Sequence, residues 1–189
     1  MENASSSARP DELDDGRMGL LDATRAGRVH DVLLALKNGA FDVDFEKEED
    51  RTALLEAAKR GDSKLVELLL TIQTAANEHE ACTLSHTALC LAARSGELEV
   101  VLWLLEQEAT VNLQNERGAS VLNPAVQEGY VDIVELLLER GAALDGQDNG
   151  GSAEGRTALG TAAFYGQLEA VRLLLNRGAT IDSKNELGA

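Results

Sequence analysis

The stretch Thr157-Ala158-Leu159-Gly160-Thr161-Ala162-Ala163-Phe164-Tyr165-Gly166, with Leu173-Leu174-Leu175-Asn176-Arg177-Gly178-Ala179 a little downstream, sets out one complete unit of this chain. A hydroxyl residue, Thr157, stands where a helix N-cap belongs, its oxygen placed to accept from an unpaired amide of the first turn. Small residues follow on one helical face. Gly166 ends that helix, because the left-handed residue that closes a helix is least strained as glycine. A second, strongly apolar helix then runs to a second stop at Gly178.

Working outward, the same order returns upstream. Thr52-Ala53-Leu54, Thr87-Ala88-Leu89 and Ser120-Val121-Leu122 lead to Gly61, Gly96 and Gly129, and a weaker copy ends at Gly27. The glycines recur close to the ~33-residue period of one class of stacked helical repeats. First helices carry Leu54, Ala57 and Ala58, or Leu89, Ala92 and Ala93, small enough for helices to approach closely. Second helices carry Val100, Val101, Trp103, Leu104 and Leu105, or Ile133, Val134, Leu136, Leu137 and Leu138, a face too broad for a single neighbour. Trp103 holds a position that is leucine in the other copies and reads as a core residue. The second stop is Gly39, Gly141 or Gly178, but Gln73 and Glu108 in the remaining copies, which lack the easy left-handed cap. A lone copy cannot offset the entropy of ordering it. Stacked copies cover one another, so stability accumulates between neighbours.

Composition agrees. The 189 residues are 44% hydrophobic but only 3% aromatic, so Leu, Val and Ala must build the core, and the expected class is all-α. A formal net charge of -16 argues against nucleic acid as a partner. No apolar run approaches the ~18 residues of a membrane span. Residues 1–16 read as a disordered polar tail containing Ser5, Ser6, Ser7 and Pro10, without the apolar stretch of a secretory signal. Two cysteines, Cys82 and Cys90, are too few for a disulfide framework. Localisation inside the cell, cytoplasmic and/or nuclear, is expected.

At the Thr-Ala-Leu segments, the Ala-Ala pairs and the Leu-Leu-Leu-x-x-Gly-Ala runs, the chain resembles the ankyrin repeat family from Arg17 to Ala189. The resemblance implies an all-α solenoid of helix-turn-helix units with β-hairpin-like fingers and a concave face that binds protein. The units fall at 17–50 (degenerate), 51–85, 86–118, 119–155 (long finger) and 156–189, the fifth without a polar cap. The family's proline after the hydroxyl residue is replaced by Ala53, Ala88, Val121 and Ala158. Proline instead occurs as Pro124, where its missing amide removes the first intrahelical bond and is expected to weaken that helix. The finger at Thr74 to His86 is expected to be long, as is the one containing Asp148, Asn149, Gly150, Gly151 and Ser152.

By the resemblance, the two residues before each inter-helix glycine face the concavity. They include Arg25, Lys59, Arg60 and Arg94, then Gln127 and Glu128, then Phe164 and Tyr165; Glu116 and Arg117 join the candidate partner-binding set. A partner with acidic groups and an apolar anchor is expected, since Arg and Tyr concentrate interface energy. The bland alternative pairs the cations with nearby carboxylates and packs one aromatic into the helix junction. Glu67, Glu99, Asp132, Glu135 and Glu169 read as solvated helix faces. No catalytic motif occurs, and no cofactor is expected. His79, Cys82, His86 and Cys90 are zinc-type ligands close in sequence, though at unorthodox spacing, and separate packing roles are the favoured reading. The expected function is a non-enzymatic interaction scaffold or adaptor, with a targeting or regulatory segment of a larger enzyme or signalling protein as the alternative.

Overall fold

The structure is a computed structural model and describes residues 20–37, 53–74, 78–113, 120–146 and 156–181. The tail 1–16, Thr52, Gly39, Glu116, Arg117 and the segment Asp148 to Ser152 lie outside them.

Residues 20–25 form α1. There follow α2 (Val29–Lys37), α3 (Ala53–Lys59), α4 (Ser63–Thr74), α5 (Glu78–Ser95), α6 (Leu98–Glu106), α7 (Leu122–Glu128), α8 (Val131–Glu139), α9 (Ala158–Phe164) and α10 (Leu168–Asn176). Each odd helix from α3 onward packs on the even one that follows it, and helices of one kind pack in sequence, α3 on α5 on α7 on α9 and α4 on α6 on α8 on α10. The result is a two-layered all-α stack. One continuous core threads it, from Leu20, Ala23 and Val32 through Leu54, Leu89, Val100, Leu104 and Ile133 to Ala162 and Leu174. Trp103 packs against this core while only partly buried.

The glycines close the first helices as expected. Gly27, Gly61, Gly96, Gly129 and Gly166 all have positive φ, from 66° to 81°. The residue after each glycine returns its amide to the buried turn, as in Glu97 N to Ala92 O (3.0 Å) and Gln167 N to Ala162 O (2.8 Å). This is the paired C-terminal closure that a left-handed residue permits. At the second stop Gly141 and Gly178 do the same, and Glu108 adopts φ 60° despite its side chain. Gln73, by contrast, does not stop its helix, which continues to Thr74.

The hydroxyl caps divide. Thr157 caps α9, its Oγ1 accepting from Gly160 N at 3.3 Å. Ser120 Oγ accepts from Asn123 N at 3.4 Å. Here α3 and α9 begin one residue after their hydroxyl position and α7 begins two after, because Pro124 has no amide to match the Thr161 N to Thr157 O bond of 2.9 Å. Thr87 overturns the expectation altogether. It lies inside α5, and its Oγ1 donates to Thr83 O at 2.9 Å instead of capping. The expected long finger from Thr74 to His86 is therefore helical from Glu78, and α5 crosses the expected unit boundary at 85/86. Neither glycine nor proline interrupts Glu78 to Ser95, and Ala88 retains the amide that the family's proline would lack, so the helix propagates backward.

Of the fingers, residues 107–113, 140–146 and 177–181 are described, and they are turns rather than strands, while Arg156 holds an isolated bridge position. They are tied sideways. Asn112 Nδ2 donates to Gly141 O (2.8 Å) while its Oδ1 accepts from Ala143 N (2.8 Å). One repeat on, Asp145 accepts from Thr180 N at 3.0 Å and from Thr180 Oγ1 at 2.7 Å.

Candidate functional site: the C-terminal ends of the first helices

Because each first helix ends at its glycine, the residues just before the glycines form a row along the stack. Lys59 is the final residue of α3, Arg94 is in the last turn of α5, and Gln127 and Glu128 end α7, as Phe164 ends α9. A cation at the C-terminal end of a helix gains about 0.3–1 kcal/mol from the unpaired carbonyls there. That contribution favours Lys59 and Arg94 in place and leaves their side chains free to reach outward.

The structure separates the cations into two kinds. Arg25 is engaged, 3.7 Å from Asp22 and 3.9 Å from Glu56 of the next repeat. Lys59, Arg60 and Arg94 are exposed and make no ion pair with another described residue. Among the described residues, the pairing alternative thus holds for Arg25 and not for the other three. Since α3 packs directly on α5, Lys59 and Arg94 lie on neighbouring helices, with Arg60 immediately after Lys59. Gln127 and Glu128 are partly spent on each other and on the fold: Gln127 Nε2 donates to Glu128 Oε1 (3.0 Å), and Gln127 O accepts from Gln167 Nε2 (2.8 Å).

Neither aromatic of the fifth repeat packs into the helix junction. Phe164 is 64% exposed and Tyr165 41%. Their rings meet edge to face at 5.1 Å and 79°. Arg156 adds a member that sequence reading missed, its guanidinium carbon 4.0 Å from the centre of the Phe164 ring. A cation over a ring face is attracted by the ring quadrupole. The sequence signal for Arg156 is its place immediately before the hydroxyl of the repeat, where Arg51 stands in the second copy.

The grouping of zinc-type ligands is not a single site. His79, Cys82, His86 and Cys90 are strung along one helix, α5, and eleven residues of helix span about 16 Å, too far to surround one ion. His86 has a structural role instead. It is buried, and its Nδ1–H must donate to Thr110 O at 2.9 Å because a carbonyl only accepts. That leaves Nε2 as the acceptor facing Cys90 Sγ at 3.5 Å. Burial holds the His86 pKa below its ordinary 6.5, with the bond to Thr110 opposing. Among the described residues no three such ligands gather.

A two-layered stack of helix pairs, with a row of largely exposed side chains at the C-terminal ends of the first helices, defines a helical-repeat protein. The family model described as ankyrin repeats matches residues 20–115 and 107–185, and the chain belongs to the ankyrin repeat family. It is 34% identical over 127 residues to the ankyrin repeat and KH domain-containing protein mask-1 of Caenorhabditis elegans, covering 67% of this chain and 5% of that protein. With the SH3 and multiple ankyrin repeat domains protein 2 of Homo sapiens the identity is 32% over 151 residues, 77% of this chain and 8% of the relative. With the probable E3 ubiquitin-protein ligase XBOS33 of Oryza sativa subsp. japonica it is 34% over 85 residues, 45% and 16%. The chain therefore spans a small part of these relatives' length. Ankyrin repeats are protein–protein interaction modules, and no described helix is long and apolar enough to cross a membrane.

Proposed function

We propose that the chain is a non-enzymatic adaptor, acting inside the cell, that holds a partner protein along its concave face. The partner presents acidic groups to Lys59, Arg60 and Arg94 and an apolar anchor to Phe164 and Tyr165, with Gln127 and Glu128 between them. The observation that carries this reading is the row of three exposed cations without a described ion-pair partner, on a chain whose formal net charge is -16. In so acidic a protein, exposed cations without a described partner at the ends of adjacent helices are available to an outside carboxylate. Exposed aromatics at the far end supply rigid apolar area at low entropic cost. Arg156, stacked on Phe164, extends the anchor.

The test is capture from the native cell with two baits, the wild type and the triple variant Lys59→Glu, Arg60→Glu, Arg94→Glu. The variant should lose the captured partner while keeping its melting curve, because exposed charges contribute little to stability. Undiminished capture would reject the footprint. A second reading, a targeting or regulatory segment of a larger enzyme or signalling protein, draws support from the 5–16% of each relative's length that the chain covers.

A further inference from the structure

The faces that join consecutive repeats reuse the same few positions. At three of the four junctions the residue after an inter-helix glycine sits over the glycine of the repeat before it, while at Gly27 the following repeat supplies Arg60 instead. A Cβ on Gly61 would meet Glu97, one on Gly96 would meet Tyr130, and one on Gly129 would meet Gln167. Each glycine is thus a seat filled from the following repeat. On the second helices, the leucine seven places past the glycine is exposed in the first repeat (Leu34, 46%) but half-buried in the fifth (Leu173), so it is covered from the preceding side. The positions two and nine past the glycine behave oppositely. Val29 and Leu36 of the first repeat are half-buried, while Leu168 and Leu175 of the fifth are 59% and 41% exposed, so these are covered from the following side.

Both ends of the stack therefore show complementary halves of one interface. At the α9–α10 end, nothing among the described residues lies within 4 Å of a Cβ placed on Gly166, so no described residue fills that seat, and Leu168 and Leu175 stand beside it. At the α1–α2 end, Leu34 is uncovered with Leu33 next to it. Arg28, the residue that follows Gly27 and so corresponds to the seat-filling Glu97, Tyr130 and Gln167, is exposed and, among the described residues, pairs with Asp31 at 3.1 Å. We propose that these ends fit each other: the α1–α2 end of one copy docks on the α9–α10 end of a second copy, in the register that joins repeats within the chain. Arg28 enters the seat at Gly166, and Leu34 covers Leu168 and Leu175.

Within the two faces the acidic residues are few. Residues 156–181 carry three arginines against Glu169, and residues 20–37 carry Arg25, Arg28 and Lys37 against Asp22 and Asp31. The acidic excess lies elsewhere in the sequence: 78–113 holds six glutamates against Arg94, and 1–19 with 38–52 hold eleven carboxylates against four cations. Among the described stretches 20–37 and 156–181 are the two that are net positive, so the long-range repulsion of a net charge of -16 comes from outside the faces themselves and should ease as salt is added. An interface between two different surfaces of one chain does not close on itself, so association is open-ended.

Sedimentation velocity of the wild type should give an average mass that rises with protein concentration and passes beyond the dimer. Leu34→Glu blocks one end, and Leu168→Glu with Leu175→Glu blocks the other. All three positions are exposed, and circular dichroism should show unchanged helix content. Each variant alone should sediment as a monomer, and an equal mixture should form a species of twice 20.2 kDa and nothing larger, through the one intact pair of faces. A wild type that stays monomeric at every concentration overturns the proposal. So does a mixture that stays monomeric, or either variant dimerising by itself, which would place the contact between like ends.

Discussion

Replacing Gly96 with alanine tests why the inter-helix glycines are glycine. Two effects are superposed at this position. The backbone has φ +80°, and a Cβ would lie 2.7 Å from both Cε1 and Cζ of Tyr130. Left-handed backbone costs alanine about 1–2 kcal/mol, partly offset by about 0.4–1 kcal/mol as the unfolded chain loses glycine's freedom. Gly166 has nearly the same backbone, φ +71°, with nothing described within 4 Å of its Cβ position. Gly166→Ala should therefore destabilise by about 1 kcal/mol, the backbone contribution alone. In Gly96→Ala the Tyr130 ring, which packs against the core, must also move, and overpacking adds about 1–3 kcal/mol, for about 2–4 kcal/mol in all. Urea unfolding followed by circular dichroism, in dilute solution, measures both. A Gly96→Ala, Tyr130→Ala double mutant should recover the added part as a coupling of about 1 kcal/mol or more. Equal losses for Gly96→Ala and Gly166→Ala would show that Tyr130 does not require the missing side chain, and the seat argument would fall with it.

Glu108→Gly should stabilise by about 0.5–1 kcal/mol, since Glu108 holds φ 60° at a place where Gly141 and Gly178 serve elsewhere; an unchanged urea midpoint would argue against strain there. His86 predicts a pH effect. Its folded pKa lies below 6.5, so the unfolded chain binds the proton more readily; the stabilisation is fully present above 6.5 and is lost as pH falls through the folded value. Thermal melts from about pH 7 to about pH 5 should show this fall in the wild type and less of it in His86→Asn, whose amide can still donate to Thr110 O. Parallel slopes would refute the assignment.

The glycine phasing was legible because it follows from backbone geometry alone: five positions need positive φ, and one residue type adopts it without strain. The buried Ala57, Ala58, Ala92 and Ala93 were legible for a similar reason, as close helix approach admits little else. Thr87 was not. A hydroxyl caps a helix only where the chain upstream is not helical, and the same Thr-Ala-Leu segment is a start at Thr157 and an interior at Thr87. Glu108 was half-read, its lack of glycine noted but not its adoption of the left-handed turn, which the neighbouring closures impose on it. At the candidate site, register placed Lys59, Arg60, Arg94, Phe164 and Tyr165 in exposed positions, whereas Arg25 to Glu56 and Arg156 to Phe164 are contacts between repeats or from a finger, which one-dimensional periodicity does not encode.

The sideways ties between fingers give the stack a mechanical character. Asn112 and Asp145 each grip the next finger through two short hydrogen bonds, while the helices behind them meet through apolar side chains. Hydrogen bonds weaken steeply with small misalignment, whereas apolar contact tolerates sliding. A stack pulled or bent at its ends should therefore respond stiffly until a finger tie breaks and softly afterwards, yielding one repeat at a time like a spring fitted with fuses.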